Sequence, residues 1–275
     1  TGSLRAYVNG VFDSGNIYHI SGVIPALGTA ESAAKVMLVG KEYDGLNDVV
    51  MQDIDGDGVK DYVIGAILNA SGGTDAGVVY SLYGPLSGTV SMSAADVTQT
   101  GVAGELLGYS LKTAADVDGD GLLDLWATAP FSSLAGVDAG ALYLLPATAT
   151  SRDARANAVA SLAGESSEDY FGVGLDVVDM DADGNQDILV GAPWQSQGGE
   201  KSGKAYLFYG PFAGAIGARD AEGSYVGYAV GAMGGDCVAS VGDLNADGQP
   251  DMAICEPSTN PATNAQISLI YGYSF

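Results

Sequence analysis

Apolar residues in this chain gather in short runs rather than along one face of a long period. Five such runs are Asn16-Ile-Tyr18-His-Ile20, Val78-Val-Tyr80-Ser-Leu-Tyr83, Ala141-Leu-Tyr143-Leu-Leu145, Lys204-Ala-Tyr206-Leu-Phe-Tyr209 and Gln266-Ile-Ser268-Leu-Ile-Tyr271. They are rich in β-branched and aromatic residues and bounded by Gly and Pro, which predicts strands. No stretch sustains a 3.6-residue period long enough for a helix. Residues 151–162 come nearest, and the repeat register predicts a strand with its loop there instead.

The runs recur. Tyr18, Tyr80, Tyr143 and Tyr206 are 62, 63 and 63 residues apart, and Ser268 falls 62 further on. Each unit offers four strands. In the third, these are Val173–Val178, Ile188–Val190, Ala205–Tyr209 and a weaker outer strand, which in the second unit is expected near Asn157–Ser161. About 60 residues with four antiparallel strands is the blade of a β-propeller. The expected architecture is all-β: one propeller domain over residues 1–275 with about five four-stranded blades. Its units are a partial one at 1–40, then 41–103, 104–163, 164–221 and 222–275. The terminal blades are incomplete. Arg5-Ala-Tyr-Val8 is expected to be a strand, either in the first unit or completing the last.

Between the first and second strands of four units lies an acidic loop of the form D-x-[DN]-x-D-G-x-x-D. The loops start at Asp53, Asp116, Asp179 and Asp243, spaced by 63, 63 and 64 residues. Three carry four carboxylates and the fourth carries three. Carboxylates 4 Å apart repel by roughly 4 kcal/mol per pair at an effective dielectric near 20, so such clusters call for a cation. The expected ligands are Asp53, Asp55, Asp57 and Asp61; Asp116, Asp118, Asp120 and Asp124; Asp179, Asp181, Asp183 and Asp187; and Asp243, Asn245, Asp247 and Asp251. The main-chain carbonyls of Val59, Leu122, Asn185 and Gln249 would join them at position 7. An all-oxygen set without Cys or His selects a hard cation, and six or more flexible oxygens favour Ca²⁺, about four ions in all. The loops are not EF-hands: position 12 holds Ile64, Ala127, Val190 and Ile254, not Glu.

With these residues in hand, the units resemble the FG-GAP repeats of the integrin α propeller. The third resembles them most: Gly164-Glu165, Phe171-Gly172, the loop Asp179–Asp187, Gly191-Ala-Pro193 and Gly203-Lys-Ala-Tyr206. The second keeps Gly104-Glu105, Leu107-Gly108 and Ala129-Pro130, and the fourth Gly227 and Glu256-Pro257. The first departs most, with Leu46-Asn47 in the Phe-Gly position. The resemblance implies calcium on one face and a ligand or partner chain on the other. It also implies seven blades, more than this chain supplies.

Charge sharpens the picture. The net charge is −24, and fifteen of the 34 acidic residues lie in the loops. Four calcium ions would leave about −16, which argues against nucleic acid and anionic membrane surfaces as partners. No apolar run reaches a membrane span. Loops of this kind bind calcium near 10⁻⁴–10⁻³ M in extracellular modules, so an extracellular or cell-surface location is expected. Cys237 and Cys255 flank the fourth loop on its two strands; a cross-strand disulfide and two small buried thiols are both open. The lone His19 reads as a packing residue, and no nucleophile elbow, phosphate loop or zinc motif occurs. No enzyme is expected. A protein or glycan ligand on the face opposite the loops is expected, with Trp194 and Phe131 as candidate contacts, whereas Trp126 reads as core. The alternatives are a subunit of a surface layer or filament, self-assembling through its incomplete terminal blades, and a polysaccharide-degrading enzyme on the same scaffold.

Overall fold

The computed structural model describes residues 14–20, 34–148, 152–260, 262 and 264–272. The expected strand at Arg5–Val8 lies outside them. The described chain is almost entirely β, folded into five separate sheets. Strands β1 (Asn16–His19) and β2 (Val36–Val39) open the first sheet. The second is built from β3 (Leu46–Gln52), β4 (Asp61–Ala66) and β5 (Val78–Leu82); the chain then leaves as β6 (Gly88–Ser91) and returns as β7 (Val97–Thr100). The third runs β8 (Leu111–Thr113), β9 (Leu125–Ala129), β10 (Ala141–Leu145) and β11 (Ala160–Ala163). The fourth has β12 (Gly174–Val178), β13 (Asp187–Ala192) and β14 (Lys204–Phe208), an excursion β15 (Gly214–Gly217), then β16 (Gly223–Val226). The fifth has β17 (Cys237–Gly242), β18 (Asp251–Glu256) and β19 (Gln266–Ile270). All pairings within a blade are antiparallel, as in a propeller.

Two features depart from the plain four-stranded expectation. The connection between the third and fourth strands is not a simple loop. β6 pairs in parallel with β2, and β15 pairs in parallel with β11, so each excursion lends a strand to the outer edge of the preceding sheet. The third sheet is thereby five-stranded and the first three-stranded. The second is that residues 151–162 are not simply strand and loop. A single helical turn at Ala154–Asn157, capped by Asp153, precedes the outer strand, which starts at Ala160 rather than Asn157. Equivalent turns stand at Met92–Ala94 and Ala218–Asp220. Their first residues, Met92, Ala154 and Ala218, are buried between successive sheets.

Sheets stack through apolar faces. Trp126, Leu142 and Leu144 of the third meet Phe171, Ile188 and Phe208 of the fourth, and Trp126 stands edge-on to Phe212 at 5.3 Å. Trp126 is thus a core residue, 1% exposed. The motif glycines set the sheet spacing. A Cβ at Gly191 would collide with the carbonyl oxygen of Gly235 in the next blade, and one at Gly65 with that of Gly108. Backbone bonds repeat across successive seams: the N–H groups of Leu107, Phe171 and Gly234 donate to the carbonyls of Ala76, Ala139 and Ser202 in the preceding sheets, at 2.8–3.1 Å.

Tyr80 and Tyr143, on the third strands of their blades, place their hydroxyls in buried polar knots. Tyr143 donates to Glu105 (2.9 Å), which also accepts from Ser132 and from Arg155. Tyr80 meets Asp44 in the same way, beside Asn69 and Lys41. Burial pushes the Tyr143 hydroxyl up to about 12 and the Tyr80 hydroxyl further, so both remain neutral donors. The last unit lacks both partners, with Ala232 and Ser268 in these positions. Glu256 supplies the carboxylate there, accepting from Ser268, Tyr225 and Gln266.

Candidate metal centre

Each acidic loop closes the turn from the first to the second strand. Its geometry is set by carboxylates accepting main-chain N–H groups. In the first loop, Asp53 takes Gly56 N–H and Gly58 N–H at 2.8 Å, Asp55 takes Asp57 N–H, and Asp57 takes Val59 N–H. The second repeats this through Asp116, Asp118 and Asp120. The sixth-position glycines Gly58, Gly121, Gly184 and Gly248 have φ between 85° and 92°, and an added Cβ there would meet nothing. Glycine is required for its backbone, not for space. Position 4 is left-handed as well (Gly56, Gly119, Ala182, Ala246), which the sequence pattern does not announce because two of the four are alanine.

The ninth residue does more than end the loop. Asp61, Asp124, Asp187 and Asp251 are fully buried. One oxygen accepts the N–H of the loop's second residue (Ile54, Val117, Met180, Leu244) at 2.6–2.9 Å. The other accepts an N–H from just beyond the third strand (Gly84, Ala147, Gly210, Gly272) at 2.8–3.3 Å. The loop is thereby tied to the next strand's end. The periodic Gly after strand three, before Pro85 and Pro211, is the sequence signal that marks this link.

Three loops bring carboxylate oxygens within 4.8 Å of one another: Asp53, Asp55 and Asp57; Asp116, Asp118 and Asp124; and Asp179, Asp181 and Asp187. The fourth gathers no such carboxylate triad among the described residues. There Asn245 replaces an acid, and its Nδ2 donates to Asp247 at 2.9 Å. Asp183 and Asp120 stand beside their triads; Asp183 accepts from Asn185 twice, which holds its carboxyl below the ordinary range. At position 7, Val59, Leu122, Asn185 and Gln249 use their N–H groups to fix the fifth-position Asp. Burial pushes Asp124 up to about 6, with Asp118 and Asp120 adding repulsion against the N–H bonds of Val117 and Ala147. Burial likewise raises Asp187. In the third loop, Asp179 Oδ1 is buried with no hydrogen-bond donor. Converging oxygens, carboxylates destabilised as anions and an undonated buried oxygen fit a hard divalent cation.

At the opposite end of the blades, Phe131, Tyr170 and Trp194 form one aromatic cluster. Tyr170 lies 4.8 Å from Phe131 and 4.6 Å, edge-on, from Trp194. Lys201 Nζ sits 3.7 Å over the Trp194 ring. The cluster lines a shallow depression of about 400 Å³ with Tyr109, Met233 and Asp236. Tyr170 was not legible as a site residue, because it precedes the Phe-Gly pair; its left-handed backbone (φ 55°) turns it outward. Cys237 and Cys255 face each other across β17 and β18, Cα 5.0 Å apart, with their sulfurs bonded.

Residues 107–145 and 171–208 match the FG-GAP repeat. The chain carries FG-GAP repeats. Both matched FG-GAP segments run from the Phe-Gly position through the acidic loop to the third strand. Similar proteins include mouse integrin alpha-IIb (34% identical over 118 residues, 41% of this chain and 11% of the integrin). Drosophila integrin alpha-PS2 is 38% identical over 113 residues, 39% of this chain and 8% of the integrin. Drosophila integrin alpha-PS5 is 32% identical over 158 residues, 55% and 15% respectively. The chain thus spans about a tenth of the length of the curated relatives it matches.

Proposed function

We propose that residues 1–275 form an extracellular, calcium-stabilised β-propeller domain of integrin α type that works in adhesion, binding a protein or glycan rather than transforming one. The carrying observation is the set of converging carboxylates whose ninth member is buried and tied to the next strand. Asp53, Asp55, Asp57 and Asp61, and their equivalents in the other three loops, would hold one Ca²⁺ each with the position-7 carbonyls. A bound dication supplies charge neutralisation. The chain's own residues do the rest: Gly58 and its equivalents turn the backbone, and the ninth Asp anchors the turn to the strand-three end. The ligand would dock on the opposite face, on Trp194, Phe131 and Tyr170, which offer a rigid apolar anchor beside the Lys201 cation.

Calorimetric titration of the chelated protein with Ca²⁺ tests the metal assignment. Four ions per chain are expected, and three for Asp183→Ala. Retention of all four by that variant overturns the assignment of the third loop. A second reading, self-assembly, is favoured by one observation: Ile267, Leu269 and Tyr271 of the three-stranded fifth sheet are 66%, 52% and 48% exposed. Sedimentation velocity in millimolar calcium separates the readings; a monodisperse monomer removes the second.

A further inference from the structure

The one-turn helices between the third and fourth strands place equivalent residues in equivalent seams. Directly after the buried Met92, Ala154 and Ala218 come Ser93, Arg155 and Arg219. In the third blade Arg155 fills its seat, donating to Glu105 and, at 3.0 Å, to the Tyr143 hydroxyl. In the fourth, Arg219 Nε reaches within 3.7 Å of Glu165. In the second blade the seat holds only Ser93. Its buried acid, Asp44, is satisfied instead by Asn69, Tyr80 and the N–H of Lys41. The space a guanidinium would take is left as a cavity of about 500 Å³, within the roughly 300–1,000 Å³ range of small-ligand sites.

The chemistry of its wall is unusual for this molecule. The chain has ten Lys and Arg against 34 acids, yet Lys41 and Arg152 both line this cavity. Neither forms an ion pair among the described residues. Among the described residues, the polar and ring contacts of Lys41 Nζ are to the Tyr80 hydroxyl (3.2 Å) and ring. Ser71, Ser93, Thr98 and Thr100 add hydroxyls to the lining, and Asp153, which accepts the Ala156 N–H as the cap of its helical turn, adds one carboxylate. An ammonium and a guanidinium over a hydroxyl-rich wall match a carboxylate carried on a polyhydroxylated ring.

We propose that this cavity, at the rim of the second and third blades and at the end opposite the acidic loops, binds an acidic sugar. Its carboxylate faces Lys41 and Arg152, and its hydroxyls face the Ser and Thr side chains. The site is separate from the aromatic cluster and independent of the metal assignment.

The test uses methyl β-glucuronide and a galacturonate disaccharide, titrated calorimetrically at equal calcium in both solutions, with methyl β-glucoside as the uncharged control. The uronates are expected to bind and the glucoside to bind at least tenfold more weakly. Ser93→Arg installs the residue that the protein itself carries in the two sister seats, and should abolish uronate binding while leaving calcium uptake and the melting profile intact. Lys41→Met, which keeps the stem, should weaken binding at least tenfold and serves if the arginine variant does not fold. Absence of uronate binding by the unaltered protein, or undiminished binding by both variants, overturns the proposal.

Discussion

At the residue scale, two glycine positions that look alike in sequence answer to different physics. Gly121 is needed for φ 89° in open space, whereas Gly191 has an ordinary φ and no room at all. Gly121→Ala should cost about 1–2 kcal/mol, the penalty of a left-handed backbone. Gly191→Ala must push two sheets apart and should cost more, about 3 kcal/mol or above. Denaturant midpoints of the two variants check the ranking. The carboxylates carry a pH signature too. Burial holds Asp124 and Asp169 at about 6, above their unfolded range near 4. The folded state therefore keeps protons that the unfolded state has released, and the chelated protein should lose stability as pH rises from about 4 to 6. A two-unit shift corresponds to an upper bound of about 3 kcal/mol per group. Asp124→Asn should make that slope shallower in urea titrations at stepped pH. A flat profile would mean these carboxyls ionise freely in the fold, and a rising one that the fold favours their charged form.

At the element scale, the strands were legible because β-branched runs between glycines leave few other conformations. β5, β10 and β19 fall within a residue or two of their predicted positions. The lent strands were not legible. β15 reads Gly-Ala-Ile-Gly, and its two middle residues gain their place only by pairing with β11 of another unit. The helical turn at Ala154–Asn157 was hidden for a related reason: four residues cannot display a period, and its buried Ala154 matters only across a seam. The acidic loops were fully written in the pattern, but the second task of the ninth Asp was not, since its partner lies 21–23 residues away. The fifth sheet differs from the others in its cross-strand cysteines. Closing an 18-residue separation, the disulfide should contribute about 3 kcal/mol by chain entropy. Reduction should lower the unfolding midpoint while Cys237→Ser/Cys255→Ser lowers it equally.

At the scale of the whole molecule, repetition explains both the charge and the stacking. Fifteen acids fall into four loops on one end of the blades, and the aromatic cluster and the Lys41–Arg152 cavity occupy the other. Such a division suits a domain that is charged with metal on one face and reads ligands with the other. On the proposed calcium assignment, the metal face also stabilises each blade. Ligation that favours only the folded state at 100 times the dissociation constant adds about 2.7 kcal/mol per site, so four sites dominate a marginal fold. The most direct measurement is thermal unfolding in 5 mM calcium and again in excess EDTA, followed by circular dichroism. The expected result is a large fall of the midpoint in EDTA, restored by calcium and much less by magnesium. An unchanged midpoint would contradict the claim that these loops are structural calcium sites.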